Sequence, residues 1–217
     1  MDIIEKNRDV RNGTGSTQAV TVTALPDIPL IQPGDNLIQL MIDGLKRCDL
    51  APQSGDILVL AQKIVSKSEN RYATLDAVSP SRAAIELAEE VEKDPRLVEL
   101  ILSESKCVIR KRTGVLIVEH NLGIVMANAG IDSSNIEPLP NRTNGDTPQR
   151  VLLLPKNPDA SCAVFRQALA EKFDTEIAVI INDSVGRAWR NGTVGIAIGT
   201  AGIDALLDLN GHPDLYN

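Results

Sequence analysis

Two uninterrupted apolar runs of strand length, residues 56–61 and 177–181, most constrain this chain. Each ends in polar residues, so each reads as a strand buried on both faces inside a layered domain. Between them lie dipeptides that pair a capping residue with proline: Ser79-Pro80, Asp94-Pro95 and Asn157-Pro158. A capping oxygen before a proline at the first helical position predicts a helix start at each. Cys107-Val108-Ile109-Arg110, Gly114-Val115-Leu116-Ile117-Val118 and Ile124-Val125-Met126 are short β-like runs separated by turn residues, and they predict an antiparallel meander. Near the start, alternation over residues 19–25 predicts a strand, and Asp35 is the expected cap of a helix carrying Leu37, Leu40, Met41 and Leu45 on one face. Residues 62–71 read as a polar stretch, and residues 1–17 as a flexible leader before one domain over residues 18–217.

Helices and strands are thus mixed without a regular β-α-β rhythm, and neither a G-x-G-x-x-G nor a G-x-x-x-x-G-K-[ST] is present. The expected class is mixed α/β of the α+β kind, with antiparallel-rich sheets and flanking helices, and not a Rossmann or P-loop fold. Composition then removes functions. A net charge of −7 with 2% aromatics offers no surface for nucleic acid. No apolar run approaches the roughly 18 residues needed to span a bilayer. Three scattered cysteines, Cys48, Cys107 and Cys162, give neither a disulfide framework nor a zinc set, and read as buried small hydrophobes in a cytoplasmic protein. His120 and His212 sit at turns and read as exposed, which leaves no histidine for a hydrolase triad.

Asp132 and Asp183 each follow an apolar run. If their loops converge, the two carboxylates with the Ser184 hydroxyl make an all-oxygen site of the kind Mg²⁺ or Mn²⁺ takes, completed by phosphate oxygens. Singly, each is more simply a turn-forming residue. Lys63 and Lys67 could hold phosphates as point charges, against the simpler alternative of a solvated basic turn. Arg187 and Arg190 flank Trp189, as a holder for an anionic substrate or as a structural clasp on the indole.

Taken in order, several segments resemble the coenzyme F420-0:γ-glutamyl ligase family. They are Ile28-Pro29-Leu30-Ile31 with Pro33-Gly34-Asp35, Ala61-Gln62-Lys63-Ile64-Val65-Ser66-Lys67-Ser68-Glu69, Lys93-Asp94-Pro95-Arg96-Leu97-Val98, Asn128-Ala129-Gly130-Ile131-Asp132-Ser133-Ser134-Asn135, Leu153-Leu154-Pro155-Lys156-Asn157-Pro158-Asp159-Ala160-Ser161, and Asp183-Ser184-Val185-Gly186-Arg187-Ala188-Trp189-Arg190. The resemblance implies a homodimeric ligase that adds L-glutamate to coenzyme F420-0 by a γ-linked amide, through an acyl phosphate. GTP is the implied co-substrate and Mg²⁺ or Mn²⁺ the implied metal, with a monovalent cation as an optional further cofactor. It makes Asp132, Asp183 and Ser184 metal ligands, and Ile28, Pro29, Leu30, Ile31, Gln62, Lys63, Lys67 and Asn135 GTP contacts. Both simpler alternatives, the turn-forming aspartates and the solvated lysines, are thereby reversed. Ser184 stands where the family usually has Thr, and Ala188 where it usually has Pro. The family also implies a further C-terminal segment, beyond Asn217, with GTP and metal contacts. The alternative expectation is therefore a non-catalytic dimeric relative that binds nucleotide or a phosphorylated metabolite.

Overall fold

A computed structural model describes residues 19–134, 149–189 and 191–213. The expected leader, Asn135 and Arg190 lie outside the described residues. The elements are helix α1 (Leu37–Arg47), β1 (Ile57–Ala61), α2 (Gln62–Ser68), β2 (Tyr72–Thr74), α3 (Arg82–Val91), α4 (Pro95–Ser103), β3 (Ser105–Arg112), β4 (Val115–His120), β5 (Val125–Ala127), β6 (Arg150–Leu152), α5 (Pro158–Phe173), β7 (Ala178–Gly186) and β8 (Thr193–Ala201). Among the described residues four of the five strand pairings are antiparallel, and no Rossmann or P-loop arrangement occurs.

The two apolar runs become neighbours. β1 pairs in parallel with β7, Leu60 beside Ile181 and Ala61 beside Asn182, and β8 closes the other side of β7. Leu60, Val179 and Ile181 point to one face, where α1 and α5 supply Leu37, Met41, Cys162 and Phe165 to the same core. Each such aliphatic side chain contributes about 1.5–3 kcal/mol by leaving water. A second core lies under the meander, where Ala84, Leu87, Ala88 and Val91 of α3 and Val98 and Ile101 of α4 cover Leu116 and Val118 of β4. The helix spacing of i, i+3, i+4 and i+7 in α3 is what turns these four residues to one side.

Several expectations change. Residues 19–25 form no strand, and Val20 and Val22 are exposed, because no strand among the described residues lies alongside to complete their hydrogen bonds. Asn36, not Asp35, caps α1, accepting the Gln39 amide at 3.1 Å, while Asp35 accepts the Gln32 amide. The helix expected at Ser79-Pro80 starts later, because Ser81 supplies the cap to the Ala84 amide at 3.2 Å. Asp94 and Asn157 cap α4 and α5 as expected, with proline in the first turn. Residues 62–68 are helical rather than an open polar stretch. Of the cysteines only Cys162 is buried, and burial pushes its thiol up to about 11; Cys107 is exposed.

His120 is buried, not exposed. The alternation of β4 turns Leu116, Val118 and His120 inward together. Its Nδ1 accepts the Leu122 amide at 2.9 Å, and Nε2 faces Glu104 at 3.6 Å. Glu104 also takes Arg71 at 2.9 Å, while Arg71 Nε donates to the Leu154 carbonyl at 2.7 Å. The His120 imidazole above all, with Arg71 beside it, holds the Glu104 carboxyl below its ordinary value against the opposing effect of burial. This network ties the meander to the larger core.

Candidate active site

The register of the larger sheet creates the site. β7 runs on to Gly186 whereas β1 stops at Ala61, so beyond Asn182 the β1 side of β7 is open, and α2 begins there. Asp183 is thus inside β7 and not at its end. It shares a strand face with Val179 and Ile181, and its carboxylate accepts the Ser184 amide at 2.8 Å. Lys63, in the first turn of α2, faces the same opening.

Asp132 arrives from the other core. β5 ends in the tight turn Asn128–Gly130, in which Asn128, Ala129 and Gly130 all have positive φ, of 52°, 52° and 67°. A Cβ on Gly130 would press on the ends of the Met126 and Leu154 side chains, at 2.9 and 3.0 Å, but it is the positive φ that calls for glycine here. Left-handed Asn128 and Ala129 store strain that the buried surroundings of Ala129 enforce. Directly after the turn, Asp132 pairs with Leu152 through both backbone bonds, 3.0 and 2.8 Å. That bridge fixes the side chain toward α2.

There Lys63 Nζ lies 2.5 Å from Asp132 Oδ2 and donates to Ser134 Oγ at 2.8 Å. The Ser134 amide donates to Asp132 Oδ1 at 2.7 Å, and its hydroxyl to Oδ2 at 3.0 Å. Burial alone would raise the Asp132 carboxyl, but Lys63 and the two Ser134 donors outweigh it and hold it below the ordinary value of 3.8. Asp183 is displaced the other way. Burial pushes it up, the Ser184 amide opposes, and the negative charge of Asp132 raises it further, with Lys63 partly compensating. Lys63 and Asp132 are therefore an ion pair near enough to Asp183 to act on it electrostatically.

The opposite shifts have a measurable consequence. Because Asp183 has a folded value above its unfolded one, ionising it weakens the fold. The loss grows as pH rises from about the ordinary 3.8 to the raised value and is complete above it. Asp183→Asn, which cannot ionise and retains an oxygen for the Ser184 amide, is expected to raise the neutral-pH melting temperature by a few degrees, with the gain vanishing in acid. Thermal unfolding across pH checks this, and a variant less stable than wild type at neutral pH contradicts it.

The remaining expected residues are placed as follows. Lys67 lies one turn beyond Lys63 on α2. Gln62 is buried and donates to Ser66 Oγ at 2.6 Å. Ile28 and Ile31 pack into the core, Pro29 and Leu30 are exposed, and the Gly34 amide ties this segment to the Ser68 carbonyl at the far end of α2. Ser184 follows Asp183 in a regular strand, so its side chain leaves from the opposite face. Arg187 is exposed just past β7, and Trp189 is fully exposed with a φ of 56°, so no clasp by Arg187 forms. A guanidinium does stack on a ring elsewhere, Arg150 on Tyr72, at 3.9 Å.

Ser134 was missed by sequence reasoning, although Asp-x-Ser is the signature of an Asx turn that brings the third residue back to the carboxylate. Also missed was an open cleft of about 480 Å³ at the far end of α2. Asp35, Ser68, Glu69, Lys156, Asn157 and Ser161 line it, and these come from three of the segments singled out above.

Asp132 raises the cost of ionising Asp183, while Asp132 itself already carries the Ser134 hydroxyl and the Lys63 ammonium. Among the described residues no cluster of three or more His, Cys, Asp or Glu could hold a metal ion. A hard divalent ion held by these two carboxylates would have to keep waters or share phosphate oxygens, since they do not cage it.

A family model described as F420-0:Gamma-glutamyl ligase matches residues 26–217. The chain belongs to this family. Curated relatives named coenzyme F420:L-glutamate ligase agree with that placement. The protein of Methanothermobacter thermautotrophicus is 39% identical over 197 residues, covering 91% of this chain and 74% of the relative. That of Methanopyrus kandleri is 37% identical over 202 residues, 93% and 74% of the two chains. The Methanocaldococcus jannaschii protein is 41% identical over 164 residues, 76% and 61%. The match includes both carboxylates and α2, so the geometry above is that of a F420-0:gamma-glutamyl ligase family member.

Proposed function

We propose that this chain joins L-glutamate to coenzyme F420-0 through a γ-linked amide, using GTP and a divalent metal. The observation that carries the reading is the Lys63–Asp132 ion pair, near enough to Asp183 to act on it electrostatically, in a chain of this family. The γ-phosphate of GTP passes to the acceptor carboxylate of F420-0, giving an acyl phosphate and GDP. The glutamate amine then attacks the acyl carbon, losing a proton as phosphate departs. Such chemistry demands alignment and charge neutralisation more than a side-chain nucleophile, in keeping with a site without histidine or cysteine.

Asp132 and Asp183 would hold Mg²⁺ or Mn²⁺. When bound, that ion neutralises phosphate charge in the transfer. Lys63 and Lys67 orient the phosphates along α2. Gln62, Asn135 and residues Ile28, Pro29, Leu30 and Ile31 contact the nucleotide, the last four toward the far end of α2, where Gly34 meets Ser68. Arg187 and Arg190 take substrate anions. We propose further that the protein is a cytoplasmic homodimer, with exposed apolar groups such as Ile57 and Val59 of β1 available to a second copy.

Mass spectrometry of F420-0 incubated with the chain, GTP, Mn²⁺ and L-glutamate tests the activity. The expected product carries one or more added glutamyl residues and requires both GTP and metal. Absence of product from a sample folded by circular dichroism would leave the non-catalytic, nucleotide-binding alternative.

A further inference from the structure

No oxygen of Asp132 is uncontested. Oδ1 accepts the Ser134 amide, while Oδ2 accepts both the Ser134 hydroxyl and the Lys63 ammonium, and Lys63 donates to that same hydroxyl. Lys63, Asp132 and Ser134 therefore form a closed triangle with the positive charge already in place. A divalent ion approaching Asp132 alone meets that ammonium at the oxygen it needs, and two cations repel strongly at such separations. An anion arriving with the ion changes the balance. A phosphate oxygen accepts an ammonium as well as a carboxylate does, and the four-carbon stem of a partly exposed lysine lets Lys63 swing without moving α2. The Lys63 and Asp132 side chains are 34% and 31% exposed, so the pair is open enough to exchange partners.

We propose that Lys63 is a built-in stand-in for the metal at Asp132, so that the site accepts a divalent ion together with a phosphate ligand that takes over Lys63, and resists the ion alone. This rests on the reading of Asp132 and Asp183 as metal ligands. It makes Lys63 a positioning residue with two states. In the first it holds Asp132 and Ser134 in their turn; in the second it has crossed to the phosphate and left Oδ2 to the ion. Metal and nucleotide binding are then coupled, each favouring the other.

The test is Mn²⁺ binding, read from the electron paramagnetic resonance of free Mn²⁺, with and without GTP, for the wild type and for Lys63→Met, Lys63→Arg and Asp132→Asn. Wild type should bind Mn²⁺ weakly alone and about tenfold or more tighter with GTP. Lys63→Met should bind Mn²⁺ alone about tenfold more tightly than wild type, with most of the GTP effect gone. Lys63→Arg, which keeps the charge, should stay close to wild type without GTP, and circular dichroism confirms that each variant is folded. The proposal is overturned if Lys63→Met binds Mn²⁺ alone no better than wild type, or if Lys63→Arg gains as Lys63→Met does. The underlying metal reading fails separately, taking the proposal with it, if wild type binds no Mn²⁺ even with GTP or if Asp132→Asn binds it as wild type does.

Discussion

Asp132→Asn is expected to lower the rate of glutamyl transfer by about 10³-fold or more while leaving the fold in place. The substitution preserves shape and can still accept the Ser134 amide, so the turn that follows Gly130 should persist. What disappears is the negative charge at the point where Lys63 and Asp183 converge. A neutral amide is a poor partner for a hard divalent ion and leaves Lys63 without its counter-charge. The structural cost is small because the ion pair is about one-third exposed, and pairs of that kind contribute about 1 kcal/mol or less. The two effects therefore separate cleanly in one sample, with steady-state turnover reporting the first and thermal unfolding the second. A useful control is Asp76→Asn, which removes a carboxylate paired with Arg96 and should leave turnover unchanged. Turnover by Asp132→Asn near the wild-type rate would remove Asp132 from the reaction. A melting temperature lowered by ten degrees or more would make its role structural.

Local signals and long-range ones were unequally legible in the sequence. The meander, the cap-proline starts at Asp94 and Asn157 and the places of β1 and β7 could be read directly, because each is specified by residues close together in the chain. But β1 is not buried on both faces: Ile57 and Val59 are exposed and only Leu60 is buried. α2 was hidden because its buried residues are Gln62, Val65 and Ser66, so two of its three inward positions are polar and the apolar period is masked. His120 was misread for a related reason: its neighbours Glu119 and Asn121 suggested a surface turn, whereas the alternation of β4 settles its side. Residues 19–25 show the converse, an alternating pattern with no partner strand. For the site, the residue types were visible at Lys63, Asp132 and Asp183. Their meeting was not, since it depends on β1 pairing with a strand more than a hundred residues later and stopping short of Asp183. Ser184 illustrates how a motif compresses geometry, as it adjoins Asp183 in sequence and leaves the strand on the other side.

Gly199→Ala is expected to be the most damaging of small substitutions in the larger core, costing about 2–4 kcal/mol. A Cβ at this position of β8 would lie 2.5 Å from the Pro158 carbonyl carbon and 2.7 Å from its oxygen, both backbone atoms. Pro158 cannot retreat easily. It opens α5, its neighbour Asn157 caps that helix through the Ala160 amide at 3.0 Å, and Asp159 accepts the Thr200 amide at 2.8 Å, pinning the same turn to β8. Accommodating one methyl group therefore means moving the start of α5 away from the sheet or releasing that bond, and either one uncovers the core around Cys162 and Phe165. In a chain of this size the loss corresponds to roughly 5–15 °C in melting temperature. Gly195→Ala is the matched comparison on the same strand. Its Cβ would meet only the Asn182 side-chain amide, at 2.9 Å, which can rotate aside, so a cost under about 1 kcal/mol is expected. The two variants also differ at the site. Displacing α5 and β8 disturbs the strand that holds Asp183, which pairs with Ile196, so Gly199→Ala should weaken metal-dependent GTP binding as well as stability. Equal melting temperatures for the two variants would mean that α5 yields without cost and that the close approach at Gly199 does not secure the sheet beneath the site.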